Sequence, residues 1–292
     1  MSPRVASVLL CLAAALAAQT RVVVLGSGNP NAIPERSGPA VAVIVNQTAY
    51  LVDSGPGVVR RAAAAARAGE AALRPTAITH LFVTHLHSDH TAGYPDLILT
   101  PAVLGRAQPL EVYGPPGLQA MTTDILHAWS KDIAVRTQGL EHGDPDHYRV
   151  EVHEIKAGQI YRDANVTVTA FAVHHGSWDY AFGYRFQAAD RTVVFSGDTT
   201  PVAAVAQACD GCDLLFHEAY LDTPTIKPAW RNYLAHFHTS AAEVGAIASA
   251  AHPKLLVLYH QMFEGGTEAQ LLAAVRAHYA GAVVSAHDLD VY

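Results

Sequence analysis

The chain has 292 residues, of which 50% are hydrophobic and 15% are charged, so it can bury a large core and a disordered chain is excluded. The formal net charge is -7 and no run of Lys or Arg occurs, which argues against a surface built to neutralise the phosphates of nucleic acid. Seventeen histidines are many. Several lie in apolar surroundings where an unpaired ring would need a partner, and metal ligation would supply one.

Residues 1–18 differ from the rest of the chain. Arg4 is their only charge, the stretch from Val5 to Leu16 is apolar or small, and small residues follow near Ala17. We predict a secretory signal peptide at 1–18, a single domain at 19–292, and a periplasmic or secreted protein with no stable membrane span after cleavage. A buried N-terminal helix is the alternative. For Cys209 and Cys212, a disulfide and a plain turn with free thiols both stay open.

The first half begins with a strand from Arg21 into a glycine turn. Two hairpin strands, a helix and a further strand are predicted next: Val41 to Val45, Tyr50 to Val52, Val58 to Ala68, and Ile78 to Thr84. The stretch from Leu97 to Ala164 is less regular, with one helical segment from Met121 to Trp129.

The second half repeats this order of strands followed by helices. Its predicted strands are Val166 to Val173, Phe182 to Gln187, Thr192 to Phe195, Leu214 to Phe216, Leu255 to Tyr259, and Ala282 to Ser285. Helices are predicted from Ser240 to Ala251, where a capping box begins, and from Thr267 to Tyr279. Two sets of mostly antiparallel strands, each finished by a helix, predict an α/β fold of two stacked sheets with helices outside.

One stretch places four potential metal ligands within six residues, directly after a predicted strand: His85, His87, Asp89 and His90. Alternate positions of an extended chain point the same way, so His85 and His87 can converge on one ion while Asp89 and His90 turn toward a second. A solvated histidine-rich loop is the alternative, but this spacing is far more specific than a bare HxH. Ser88 is a spacer, because the chain has no GxSxG elbow.

Three further residues end predicted strands in the same manner, namely His175, Asp198 and His260. A single histidine at a strand end is ordinary, but the recurrence indicates one shared site. Together the two sets supply seven ligands without a thiolate, a set that suits catalytic zinc.

The chain resembles the metallo-β-lactamase-fold hydrolases, in the branch that contains ribonuclease Z and the arylsulfatase-like enzymes. The segments that carry the resemblance cover nearly the whole mature chain: 25–30, 51–57, 85–90, His175 with 183–185, 196–199, 215–219, 238–240 and His260. The resemblance implies a four-layer αββα sandwich with two zinc ions. One would be held by His85, His87 and His175, the other by Asp89, His90 and His260, with Asp198 bridging them.

The family's activity implies hydrolysis of an ester-type bond by a hydroxide shared between the two zinc ions. Candidate catalytic residues are Asp89, which is also a metal ligand, and the pair Glu218 and His238. The resemblance implies that Glu218 orients His238, which helps to protonate the leaving group. Alternatively, Glu218 is a carboxylate at a helix edge and His238 a loop residue.

The chain departs from ribonuclease Z in one segment. Those enzymes carry a long basic arm where only Phe186 to Thr192 stand here. We therefore expect an exported hydrolase of a small-molecule substrate, whether a sulfate ester, phosphodiester, lactone or carboxyl ester, with nucleic acid as an improbable partner. A ribonuclease Z-like enzyme that processes transfer RNA and a non-catalytic binding module are the alternatives. A homodimer is left open.

Overall fold

Thirteen strands and nine α-helices are found in residues 20–292, the range that the computed structural model describes. The predicted signal peptide lies outside that range. One sheet has the order β1-β2-β3-β4-β5-β6: Arg21–Gly26, Ala40–Val45, Thr48–Val52, His80–Phe82, Leu110–Gly114 and Val150–Glu154. The other has the order β13 to β7, where β7 to β13 are Gly158–Arg162, Thr167–Ala172, Phe182–Gln187, Thr192–Phe195, Leu214–Tyr220, Leu255–Met262 and Val283–Ser285.

Strand alternation explains why the sheets are apolar on both faces. In β1, Val22 and Val24 join the core between the two sheets, while Val23 and Leu25 join the core beneath the outer helices. The central core is rich in aromatic rings, among them Phe82. Residues on successive positions of a strand point to opposite faces, so a continuous run of Val and Leu lets one strand serve two cores.

The helices cover the outer faces and complete the four layers predicted from the sequence. In chain order they are α1 Val58–Arg67, α2 Ser88–Thr91, α3 Tyr94–Val103, α4 Leu118–Ala128, α5 Ser130–Gln138, α6 Ala203–Cys209, α7 Pro228–Phe237, α8 Ala241–Ala251 and α9 Glu268–Arg276. Residues of α1, α3 and α4 pack on the first sheet, and residues of α6, α8 and α9 pack on the second. The capping box of α8 forms as predicted, with Ser240 and Glu243 bonded reciprocally.

Two details of the predicted fold need correction. The sheets are mixed, but parallel pairs slightly outnumber antiparallel ones, with six of the former and five of the latter. Parallel neighbours need a crossover, and helices supply several of these. The segment predicted to be irregular also contains three strands, β5 to β7. Their pattern is weak because β6 and β7 are edge strands with half-exposed residues.

Two further observations concern covalent structure and membranes. Cys209 and Cys212 form a disulfide between α6 and β11, which resolves the two possibilities left by the sequence. Within residues 20–292, none of the helices has the length and apolar character needed to cross a membrane.

Candidate metal centre

The HxHxDH stretch lies between a strand and a one-turn helix. His85 and His87 follow the end of β4, and Asp89 and His90 lie in α2. The extended backbone before α2 sends the first two imidazoles to one side, and the helical turn sends Asp89 and His90 toward another. His85 and His90 are fully buried. The local change from extended to helical backbone therefore separates the four candidate ligands into two pairs.

Three imidazoles converge on the first candidate position. Nε2 of His85 and Nε2 of His175 each lie 3.0 Å from Nδ1 of His87. Nδ1 of His175 is bonded to the carbonyl of Phe237 at 2.6 Å, which fixes the ring and leaves Nε2 facing the other two. Burial lowers the pKa of His175 to about 4, although Asp198 opposes this shift. A neutral imidazole is the form that binds a metal ion.

The second candidate position is surrounded by Asp89, His90, His260 and Asp198. Nε2 of His260 lies 3.1 Å from Oδ2 of Asp89 and 3.3 Å from Oδ2 of Asp198. Nε2 of His90 lies 3.5 Å and 3.4 Å from the same two oxygens. Ligands at zinc bond lengths in a tetrahedron are separated by about 3.3 Å, so this spacing fits a cation. Asp198 also falls in groups with His85 and with His175, so it lies between the two positions.

A β-bulge places His260. Glu218 and Ala219 on β11 pair with Tyr259 and Gln261 on β12, so His260 is the extra residue, and its φ is 47°. The prediction that His260 ends its strand was wrong, because β12 continues to Met262. A bulge re-aims one side chain without ending the sheet, and a left-handed backbone at a residue other than glycine is typical of functional sites.

Asp53 holds the ring of His90. It lies directly after β3 with a φ of 60°, is buried, and its Oδ2 is 2.8 Å from Nδ1 of His90. Thr84 donates to the same carboxylate through its backbone N–H and its hydroxyl. Burial alone would lower the pKa of His90, but the carboxylates of Asp198, Asp53 and Asp89 raise it well above its ordinary value. With Nδ1 engaged by Asp53, Nε2 of His90 faces Asp89 and Asp198.

Glu218 and His238 form a pair beside these residues. Nδ1 of His238 lies 3.3 Å from Oε2 of Glu218 and 3.9 Å from Oδ2 of Asp198. Oε1 of Glu218 accepts the backbone N–H groups of Thr239 and Thr199. Glu218 is a fully buried residue of strand β11, so its interpretation as a helix-edge carboxylate was wrong.

The surroundings shift the pKa values of the two members of this pair in opposite directions. Burial and the charge of Asp198 raise the pKa of Glu218 well above its ordinary value. Burial lowers the pKa of His238 to about 4. A carboxyl group next to an imidazole is a combination suited to general acid–base catalysis.

Polar atoms without hydrogen-bond partners indicate whether this cluster is suited to metal ions. Buried side-chain atoms without a hydrogen-bond partner gather here among the described residues: His90 Nε2, Asp198 Oδ1, Glu218 Oε2, His238 Nδ1 and His260 Nδ1. Such atoms are costly unless water or an ion satisfies them. Five overlapping triplets within 4.8 Å could hold a cation, and together they contain all seven predicted ligands with Glu218 and His238. The donor set and its spacing fit metal ions.

Two neighbours of the site need comment. The sequence assigned no role to Asp53, although a carboxylate directly after a buried strand was the available indication, and it indicated Trp178 only as an aromatic residue that either lines a pocket or packs in the core. The indole N–H of Trp178 donates to Nε2 of His87 at 2.8 Å. A metal ion on Nδ1 of His87 would require a proton on Nε2, so the two rings would have to separate on metal binding. No feature of the sequence indicates this contact.

The comparisons with known proteins agree with this geometry. The family model described as "Beta-lactamase superfamily domain" matches residues 48–261. The ribonuclease Z of Mycobacterium bovis (strain BCG / Pasteur 1173P2) is 33% identical over 276 residues, which are 92% of this chain and 96% of that protein. The ribonuclease Z of Mycobacterium sp. (strain KMS) is 34% identical over 249 residues, covering 82% of this chain and 84% of that protein.

Solved structures show the same fold. The metallo-β-lactamase fold protein YhfI from Bacillus subtilis has a TM-score of 0.73 at 17% identity, covering 94% of this chain and 99% of that chain. The short form of human tRNase Z has a TM-score of 0.68 at 24% identity, covering 93% of this chain and 98% of that chain.

Proposed function

Because the chain belongs to the metallo-β-lactamase-fold hydrolases, in their ribonuclease Z branch, we propose that it is a two-zinc phosphodiesterase that cleaves RNA. We therefore favour cleavage of RNA, as in transfer-RNA processing, over hydrolysis of a small ester. Relatives at 33% identity over almost the whole chain are named ribonuclease Z. The substrate of those relatives indicates the class of bond, and the pair Glu218 and His238 supplies the chemical argument.

The observation that carries the proposal is the Glu218–His238 pair beside Asp198. Cleavage of an RNA phosphodiester expels a ribose oxygen, which is a poor leaving group unless it is protonated as the bond breaks. His238 is placed to give that proton, and Glu218 is placed to hold and replenish it. An aryl sulfate or aryl ester expels a phenolate, which needs little protonation. The pair is therefore more useful for an alkyl leaving group.

The chain's other residues would hold the ions and the phosphate. His85, His87 and His175 would hold one zinc, and Asp89, His90 and His260 the other, with Asp198 between them. Bound zinc supplies charge neutralisation for phosphate oxygens and lowers the pKa of water. Asp53 and the carbonyl of Phe237 orient ligand rings, so the nitrogens face the cluster before any ion binds.

The missing basic arm does not count against this proposal. Four residues, 188–191, join β9 to β10, as the short link in the sequence predicted. The Mycobacterium bovis relative is matched over 96% of its length by an alignment shorter than this chain. That relative has no room for a long arm either, and it is still named ribonuclease Z.

A comparison of leaving groups tests the proposed function. For zinc-loaded His238→Ala we expect kcat/KM to fall by about 10²–10⁴ on an RNA phosphodiester and much less on bis(4-nitrophenyl) phosphate, since a general acid matters most for a poor leaving group. His236→Ala is the matched control, because His236 is an exposed histidine of α7 whose ring, among the described residues, is bonded only to the carbonyl of Asn232. Equal losses on both substrates would contradict the acid role, and absence of RNA cleavage by the parent protein would contradict the function.

An exported aryl-ester or sulfate-ester hydrolase is the second candidate. The apolar stretch at 1–18 favours it, because an exported protein would not meet precursor transfer RNA. The proposed localisation is then periplasmic or secreted. N-terminal sequencing of the protein from cell fractions, beside turnover of 4-nitrophenyl sulfate, separates the candidates. An uncleaved cytoplasmic chain that is inert toward the sulfate would eliminate this one.

A further inference from the structure

A cavity of about 370 Å³ opens beside the first group of histidines. Its apolar walls come from three separate loops: Leu86 between His85 and His87, Pro115 and Pro116 before α4, and Trp178 and Tyr180 before β9. Trp178 touches both regions, because its indole is bonded to His87. Because Leu86 lines the cavity and stands between His85 and His87 in the chain, the cavity adjoins the candidate metal centre, and a molecule bound at the metals would have it alongside.

The walls are held in place by contacts that do not involve a ligand. The backbone N–H of Gly176 donates to the carbonyl of His236, and that of Trp178 donates to the carbonyl of His175. A Cβ on Gly176 would lie 2.1 Å from the ring of Phe237, so only glycine lets this loop lie against α7. On the other side, the two prolines limit the backbone freedom of their loop.

Tyr180 is half exposed, at 48%, and its side chain has no aromatic or hydrogen-bonding partner among the described residues. By contrast Trp230, which is 44% exposed, stacks on Tyr233 with ring centroids 4.6 Å apart. An unpartnered aromatic ring in a cavity next to a catalytic centre is a surface on which a flat ligand ring can stack.

The charge of the cavity favours binding of a neutral ring rather than a phosphate group. Among the described residues that line it, Asp179 is the only charged one, and it is exposed. A carboxylate repels a phosphate group but can accept the exocyclic amino group of adenine, cytosine or guanine. The volume lies in the range of small-molecule sites and exceeds what one ring needs.

We propose that this cavity is a subsite for the planar aromatic ring next to the scissile bond, with Tyr180 as its stacking platform. The inference rests on the proposed function for the identity of the ring, which is then a nucleobase of RNA. An aryl group of a small ester shares the same chemistry, and the experiment distinguishes the two sources.

Calorimetric titration of the zinc-loaded protein with two matched pairs of ligands tests the subsite. Adenosine 5′-monophosphate is compared with ribose 5-phosphate, and phenylphosphonate with methylphosphonate, so that each pair differs by one ring. We expect adenosine monophosphate to bind at least fivefold more tightly than ribose phosphate. Tyr180→Leu should abolish that advantage and leave the Kd of ribose phosphate unchanged, whereas Tyr180→Phe should preserve it. Trp230→Leu is the control, because it removes an equally exposed ring outside the cavity.

The outcomes separate the subsite from the proposed function. A ring advantage in either pair that Tyr180→Leu removes supports the subsite, and the pair that shows it identifies a nucleobase or an aryl source. Equal affinities within both pairs, or an advantage that survives Tyr180→Leu, overturn the subsite. RNA cleavage that depends on His238 but lacks a ring advantage overturns the subsite alone. A ring advantage without RNA cleavage supports the subsite and contradicts the RNA assignment.

Discussion

At the scale of single residues, two members of the site have a backbone conformation that is unfavourable for residues other than glycine. Asp53 and His260 both have positive φ, at 60° and 47°, and each delivers a side chain to the cluster. Left-handed backbone at residues other than glycine costs of order 1–3 kcal/mol, so the surrounding structure must enforce it. For Asp53 the enforcement includes bonds from Thr84 and the ring of His90. Asp53 and His260 therefore combine an unfavourable backbone conformation with a place in the cluster.

Asp53→Asn is expected to weaken zinc binding by about 10–100-fold, because an amide orients the ring of His90 less well and removes a charge that favours a bound cation. The Kd is measured by competition with a chromogenic chelator. Asp163→Asn is the matched control, since Asp163 also accepts several hydrogen bonds, from Tyr161 and the backbone of Val166, in a partly buried position, but has no bond to the cluster. A Kd for Asp53→Asn within twofold of the parent protein would contradict this role.

At the scale of one element, α3 contains a proline, and a nearby arginine replaces the helical hydrogen bond that the proline cannot make. Pro101 has no N–H, so the carbonyl of Leu97 lacks its helical partner. The guanidinium of Arg106 donates to that carbonyl at 2.9 Å and to the carbonyl of Ile98 at 3.3 Å. Arg106 is fully buried. Burial lowers its pKa to about 10, so it stays charged at neutral pH. The helix passes through a proline because this side chain completes its hydrogen bonds.

Arg106→Met should lower the free energy of unfolding by about 2–3 kcal/mol, because it leaves a buried carbonyl unsatisfied and removes a charged donor. Urea denaturation of the metal-free protein measures the change. Arg60→Met is the control: Arg60 is 82% exposed and pairs with Asp96 at the surface, where such a pair contributes about 0–1 kcal/mol. If Arg60→Met cost as much as Arg106→Met, the role of Arg106 would be disproved.

At the scale of the whole molecule, the predicted ligands join the two sheets. His85, His87, Asp89 and His90 follow a strand of the first sheet, whereas His260 lies in a strand of the second sheet and His175 and Asp198 follow strands of that sheet. Bound ions would therefore link the two halves of the chain in the folded state only. A ligand that binds the native state alone stabilises it by mass action, by about 2.7 kcal/mol at a concentration 100-fold above its Kd.

Zinc is accordingly expected to raise the Tm of the protein by several degrees, and a chelator should reverse the gain. His260→Ala should reduce the zinc-dependent gain, because it removes a ligand that the second sheet contributes. His287→Ala, which changes a histidine that is 53% exposed and bonded at the surface to Glu268, should leave the gain intact. Scanning calorimetry with and without zinc measures these values. A Tm of the parent protein that does not respond to zinc would exclude a resident ion that bridges the sheets.

Much of the fold and of the cluster follows from the sequence alone. Runs such as Val22 to Leu25 specify strands buried on both faces, and the HxHxDH spacing determines which side chains can share an ion, because both depend on local backbone periodicity. The edge strands β6 and β7 were missed since their residues are half exposed and carry little pattern.

The tertiary structure alone decided which distant residues meet. The bulge at His260, the bond from Asp53 to His90 and the burial of Glu218 arise from pairing and packing between segments far apart in the chain. The cavity walled by Leu86, Pro116 and Tyr180 likewise comes from three loops that no periodicity connects. Local sequence determines the chemistry and direction of each side chain, but the distance between two side chains on different strands is set by sheet register and twist.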